Sequence, residues 1–203
     1  LQRDWSSQAG LPVNVLSRPA FAPIIGKMKS HEQMDSVVAI TQGTKPFQVG
    51  KGKPAQTKAI VASKPYVAES RVDSTFRPLL RGSLISRYVI LWNDNYYISF
   101  GDWLAEPRYS AGFDAPEKVV IRQTGDSLIA TLDTNQFIVR DNLYTIVSKN
   151  NGLKLAYILG LLNSRPLNWY YQNAMNPEKG EALAQVKRGH LAQLPIRTID
   201  FSD

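Results

Sequence analysis

Between positions 45 and 64 the chain carries Lys45, Lys51, Lys53, Lys58 and Lys64, set around Gly50, Gly52 and Pro54. Ammonium groups on a stretch that glycine and proline keep out of regular structure can approach a phosphate backbone and displace its counterions. Gly50-Lys51-Gly52-Lys53 hints at a phosphate cradle. A P-loop, however, requires Gly-x-x-x-x-Gly-Lys-Ser/Thr, and a dinucleotide loop requires a third glycine, so nucleotide binding is set aside. Arginine, glutamine and asparagine supply the other half of nucleic-acid chemistry, because Arg forks onto guanine and Gln or Asn pairs twice with adenine in the major groove. The candidates are Lys45, Lys51 and Lys53 for phosphates, and Arg81, Arg87, Arg108, Arg122, Gln123 and Arg140 for phosphates or base edges. Lys187 and Arg188 read equally as a phosphate contact or as the surface of a sheet.

Bond-making chemistry finds no comparable support. The chain has no cysteine, which removes disulfides and thiolate metal sites and is compatible with a reducing compartment. His31 and His190 stand alone, without the spacing of a zinc helix, and are read as surface or capping residues. Gly-x-Ser-x-Gly is missing, and the acidic residues form no spaced nuclease cluster. No catalytic residue and no metal ligand is assigned.

The net charge of +7 is unevenly placed, with nine Lys/Arg against three Asp/Glu through Lys64. That asymmetry attracts a polyanion, although taken alone it describes a solvated face at least as well. The chain of 203 residues, 43% hydrophobic, suits one large domain or two small ones of a globular protein. It has no apolar run of about 18 residues, and its first residues lack a signal-peptide layout, so a cytoplasmic location without membrane contact is expected. A start at Leu1 suggests an excised fragment.

Elements that would position the candidates follow from pattern. Ser30-x-x-Gln33 reads as a capping box opening a short helix, followed by a strand from Val37 to Thr41 that stops at Gly43. A short helix is expected from Ala55 to Ala62. Strands from Tyr88 to Trp92 and from Tyr96 to Phe100 flank Asn93-Asp94-Asn95, which suits a hairpin turn. Further strands are expected at Lys118 to Gln123, Ser127 to Leu132, Gln136 to Arg140 and Leu143 to Ser148, in an antiparallel meander that joins the hairpin in one sheet. Leu153, Tyr157, Gly160 and Leu161 recur at helical spacing up to Ser164, which can cap a second helix opened by Pro166. Trp169, Tyr170 and Tyr171 on that helix read as core.

Five segments carry a more specific signal: Pro78-Leu79-Leu80-Arg81-Gly82, Val120-Ile121-Arg122-Gln123-Thr124-Gly125, Asp141-Asn142-Leu143-Tyr144-Thr145-Ile146, Tyr157 to Ser164, and Gln193-Leu194-Pro195-Ile196. As an ordered set they resemble the C-terminal specificity domain of TaqI-like adenine-N6 DNA methyltransferases and related fused restriction-modification enzymes, over roughly Val38 to Ile196. The resemblance implies a target recognition domain, non-catalytic alone, that binds double-stranded DNA beside a methyltransferase catalytic domain of the same parent chain. The S-adenosylmethionine cofactor would belong to that catalytic domain, as would the Asn/Asp-Pro-Pro-Tyr/Phe motif gripping a flipped adenine. Neither that motif nor a cofactor loop occurs here, since Asn176-Pro177-Glu178-Lys179 departs from it at two positions. Arg122-Gln123-Thr124-Gly125 recurs in the family across different specificities, which favours a turn or a phosphate contact over base readout. Ser83-Leu84 departs from the acidic or polar residue usual after Leu-Arg-Gly-x. The expected architecture is α+β, a curved and mostly antiparallel sheet with helices packed at one end. It forms one recognition domain over 1–203: a connecting segment at 1–29, a mainly β part at 30–152 and a helical part at 153–203. The competing reading is a scaffolding domain that docks a protein partner and uses its lysines for solubility.

Overall fold

The strand Lys118–Arg122 has four fully buried residues in a row, a pattern that arises when both faces of a sheet are covered. Alternate side chains of a strand point to opposite faces, and here they enter two different cores. Val119 and Ile121 pack with Leu155, Ile158, Leu162, Leu167 and Tyr170, whereas Val120 packs with Leu79, Leu80, Ile98, Ile138 and Leu143. A layer of helices therefore lies on one face of this sheet and a second sheet on the other. The computed structural model describes residues 19–149, 153–176, 180–181 and 184–199.

The first sheet is antiparallel throughout. Val38–Gln42 and Lys118–Arg122 flank Leu143–Ser148, and Ala130–Asp133 lies outside Lys118–Arg122. The second sheet runs in the order Ile138–Val139, Phe76–Leu80, Tyr97–Ser99, Val67–Ala68. Its first pair is parallel, with Ile138 beside Leu79 and Val139 beside Leu80. The α+β class, with mainly antiparallel sheets and packed helices, is thus as expected.

The single sheet is not. The chain turns at Asn93-Asp94-Asn95, with Asp94 at φ 55°, but the flanking segments do not pair with each other. Val89–Ile90 folds back on Ile85–Ser86, and Tyr97–Ser99 instead lies between Val67–Ala68 and Phe76–Leu80. The indole of Trp92 donates to the Tyr96 carbonyl at 2.9 Å, holding the turn without a ladder. The meander is corrected likewise: the segment expected as a strand from Gln136 to Arg140 leaves the first sheet for the second. Asp133 directs that crossing, since its carboxylate accepts from the backbone N–H of Asn135 at 2.7 Å and of Phe137 at 3.0 Å.

Ser30 ends a helix rather than opening one. The helix Ala22–Lys29 stops there, with the Ser30 hydroxyl donating to the Lys27 carbonyl, and Gln33 precedes the four-residue helix Met34–Val37 with no side-chain cap. The helix expected from Ala55 to Ala62 is Lys58–Ser63, capped by the Thr57 hydroxyl. Toward the C-terminus the expectation holds closely. Leu155–Asn163 is helical, and the Ser164 hydroxyl accepts from Leu167 N–H at 3.2 Å to open Arg165–Tyr170, which continues as a π-helical turn over Tyr171–Met175. Tyr170 and Tyr171 are core, and Trp169 packs edge-on to Phe21 with ring centres 4.9 Å apart.

Candidate nucleic-acid interface

Antiparallel pairing brings the end of Val38–Gln42, the end of Lys118–Arg122 and the start of Leu143–Ser148 to the same edge of the first sheet, because Tyr144 lies opposite Gln42 and Leu143 opposite Arg122. Three glutamine amides meet just beyond. Gln42 donates to the Gln123 carboxamide oxygen, and Gln123 donates to that of Gln185, each at 3.4 Å. Gln42 also donates to the Asp141 carbonyl at 2.9 Å. The backbone fixes this row on both sides: Gln123 N–H donates to Asn142, Val186 N–H donates to Gln123, and Gly125 N–H, at a residue with φ +109°, donates to Ala184. Arg122-Gln123-Thr124-Gly125 therefore clamps the 184–186 segment to the strand ends, while the amide of Gln123 stays at the surface.

The second sheet ends at the same edge. Asn142 accepts from Gly82 N–H at 3.3 Å, and Arg140 N–H donates to the Leu80 carbonyl, so Arg81 and Arg140 leave their two parallel strands side by side. Gly43 sits where the sheets converge, and a Cβ there would lie 2.2 Å from the Arg140 carbonyl oxygen. Only glycine permits that approach.

Each cationic candidate has a definite setting. Arg81 is exposed, with its guanidinium carbon 4.8 Å from the centre of the Tyr96 ring. Arg140 is half-buried, donating to the Tyr96 hydroxyl at 3.3 Å, with Nε 3.7 Å from the Asp141 carboxylate. Arg122 is half-buried and its Nε has no hydrogen-bond partner. Arg87 is exposed on the turn between Ile85–Ser86 and Val89–Ile90 and donates to the Leu128 carbonyl at 3.2 Å. Arg108, at φ 48°, donates to the Gly43 carbonyl at 2.9 Å and twice to the Glu106 carboxylate. Its fork is spent on bracing the strand end. Lys187 and Arg188 are exposed before and at the start of the helix Arg188–Ala192, where Arg188 Nε donates to the Ile40 carbonyl at 3.0 Å.

The lysine loop is built, not loose. Lys45 pairs its backbone with Glu106 in both directions and donates its ammonium to Gln48 at 2.7 Å. Buried Gln56 donates to the carbonyls of Pro46 and Trp103 and accepts from Gln48 N–H, closing the loop so that Lys51 and Lys53 remain exposed on it. The hydrogen bond from Arg108 holds the Glu106 carboxyl below its ordinary pKa against the effect of burial, and the charges of Arg108, Lys45 and Lys51 pull in the same direction. One carboxylate thus sits in the field of three cations, and the group keeps a net positive charge.

The fold gathers Arg81, Arg122, Gln123 and Arg140 at one edge, adds Arg188 through Ile40, and places Lys45 and Arg108 next to Gly43. Arg87 lies apart, against Leu128. Gln42, Asn142, Gln185 and Tyr96 were missed from sequence, since each reaches the edge through pairing with residues far away in the chain. Among the described residues no group of three or more His, Asp or Glu is placed to hold a metal ion. No helix among them is long and apolar enough to cross a membrane.

An edge of amides and guanidiniums raised on paired strand ends has the chemistry of a base-reading surface. The TaqI-like C-terminal specificity domain matches residues 77–196, more than half of the chain and all of the edge except its Gln42 and Lys45 side. The chain belongs to this family. The chain is also similar to a protein of Methanocaldococcus jannaschii named as a type II restriction enzyme and methyltransferase, with 26% identity over 144 residues. That similarity takes in 69% of this chain and 12% of the relative.

Proposed function

We propose that this specificity domain binds double-stranded DNA in a sequence-specific way, as the target recognition domain of a restriction-modification methyltransferase acting on adenine N6. The row Gln42, Gln123 and Gln185, flanked by Arg81, Arg122 and Arg140, carries this reading: the backbone of 122–125 does the clamping, and the side-chain amides it leaves at the surface offer the paired donors and acceptors that bases require and phosphates do not. Lys51 and Lys53 would neutralise the backbone, leaving the edge to discriminate. The relative's name supports a methyltransferase-bearing parent; S-adenosylmethionine would belong to a separate catalytic domain of that parent.

Fluorescence anisotropy with duplex DNA over a range of salt concentrations tests the binding. Affinity that falls steeply with salt and differs between duplex sequences is expected. A competing reading, a protein-docking domain, draws on Tyr88, Val89 and Leu91, all exposed beside one another; salt-independent absence of duplex binding would favour it. The chain is expected not to bind S-adenosylmethionine by itself. Calorimetry checks this, and saturable micromolar binding would contradict it.

A further inference from the structure

Beside Arg81 a cleft opens, lined by Val67, Ala68, Glu69, Arg81, Leu84, Asn95 and Tyr96. Its polar lining combines a guanidinium with a carboxylate, and its wall is a tyrosine anchored at its backbone carbonyl and at its hydroxyl. The Tyr96 carbonyl accepts from the Trp92 indole and from Leu79 N–H, both at 2.9 Å, and the Tyr96 hydroxyl accepts from Arg140. On the face of that ring lies the Arg81 guanidinium.

Resting on the ring face restricts a side chain that would otherwise sample many rotamers, so part of the ordering cost of binding is met before a ligand arrives. Flexible lysines suffice for phosphates, as on the 45–53 loop. A preset planar fork suits a target of fixed geometry. Glu69 narrows the choice further, because a carboxylate in the same cleft repels a phosphate but accepts from an amino group. The major-groove edge of a G·C pair presents that combination, with guanine N7 and O6 as acceptors and the cytosine N4 amino group as donor.

We propose that Arg81 and Glu69 read one G·C base pair in the major groove, Arg81 donating to guanine and Glu69 accepting from cytosine N4, with Tyr96 as the positioning residue that holds the Arg81 guanidinium over its ring. This rests on the DNA-binding function proposed above and adds to it a specific pair and a specific base.

The test selects bound duplexes from a randomised pool with the intact chain and repeats the selection with Arg81→Ala, Glu69→Gln, Tyr96→Ala and Tyr96→Phe. Arg81 and Glu69 are exposed, so their variants are expected to fold. The unaltered chain should require G·C at one position, and Arg81→Ala should relax that position by roughly 10-fold to 100-fold while leaving the others unchanged. Glu69→Gln should relax the same position, and Tyr96→Ala should mimic Arg81→Ala, with Tyr96→Phe keeping most of the preference because the ring face remains. If Arg81→Ala instead weakens every duplex equally and flattens the salt dependence, Arg81 is a phosphate contact and the inference falls, although DNA binding stands. If the unaltered chain selects no sequence at all, the proposed function itself fails.

Discussion

Replacing Lys118 by methionine is expected to cost the domain about 3–5 kcal/mol of folding stability, the usual consequence of removing one member of a buried ion pair. Lys118 and Asp133 are both fully buried, with Nζ 2.7 Å from the carboxylate, and the ammonium also donates to the Phe113 carbonyl at 3.2 Å. Burial lowers the pKa of the ammonium below its ordinary value, while the hydrogen bond and charge of Asp133 push it back up. Methionine fills the space but leaves the buried Asp133 carboxyl with two backbone amides and no counter-ion. Asp133→Leu should cost more, since it also orphans the amides of Asn135 and Phe137 that turn the chain from one sheet to the other. Against a typical domain stability of about 5–15 kcal/mol, either loss is severe. Urea denaturation followed by circular dichroism measures it; a Lys118→Met midpoint equal to that of the unaltered chain would show that the pair contributes nothing to the crossing.

On the DNA side, the largest effect is expected from the lysine loop. Lys51 and Lys53 are exposed, whereas Lys45 is half-buried, bonded to Gln48 and set beside Glu106. Changing Lys51 and Lys53 together to Ala should weaken binding to every duplex alike and flatten the slope of log affinity against log salt by roughly 0.9 for each lost phosphate contact. Adding Lys45→Ala should change the slope by less than one further contact, because its charge is already partly balanced. Anisotropy at several salt concentrations with cognate and scrambled duplexes checks both variants. An unchanged slope would return the loop to a merely solvated surface.

What could be read from sequence was what is decided locally. Leu155–Asn163, Ser164 and Arg165–Tyr170 follow from helical spacing, a hydroxyl cap and an early proline, all within one short stretch. Lys118–Arg122 and Leu143–Ser148 follow from runs rich in β-branched residues. Their partners do not, because pairing Ile138–Val139 with Leu79–Leu80 depends on contacts far apart in the chain. The Tyr88-to-Phe100 hairpin failed for that reason: its turn chemistry was sound, but tertiary pairing outweighed the local ladder. Nothing local in the sequence marks Lys118, at the head of a strand, and Asp133, at the end of another, as a pair; only the fold brings them together. Arg122 and Gln123 were recognisable through the family resemblance. Gln42, Gln185 and Tyr96 had no local signal, and Gln56, which closes the lysine loop, read only as a residue near the start of a short helix.

That the strand-end edge is the DNA-reading face can be observed atom by atom through the side-chain amide resonances of Gln42, Gln123, Asn142 and Gln185. In nuclear magnetic resonance spectra of the labelled chain, addition of a selected duplex is predicted to shift these four signals together with the backbone amides of Gly82, Thr124 and Lys51. Resonances near His31 and Ile24, on the helix Ala22–Lys29 and the segment after it, should stay in place. Shifts confined to that helix, with the glutamine amides unmoved at saturating duplex, would contradict the account.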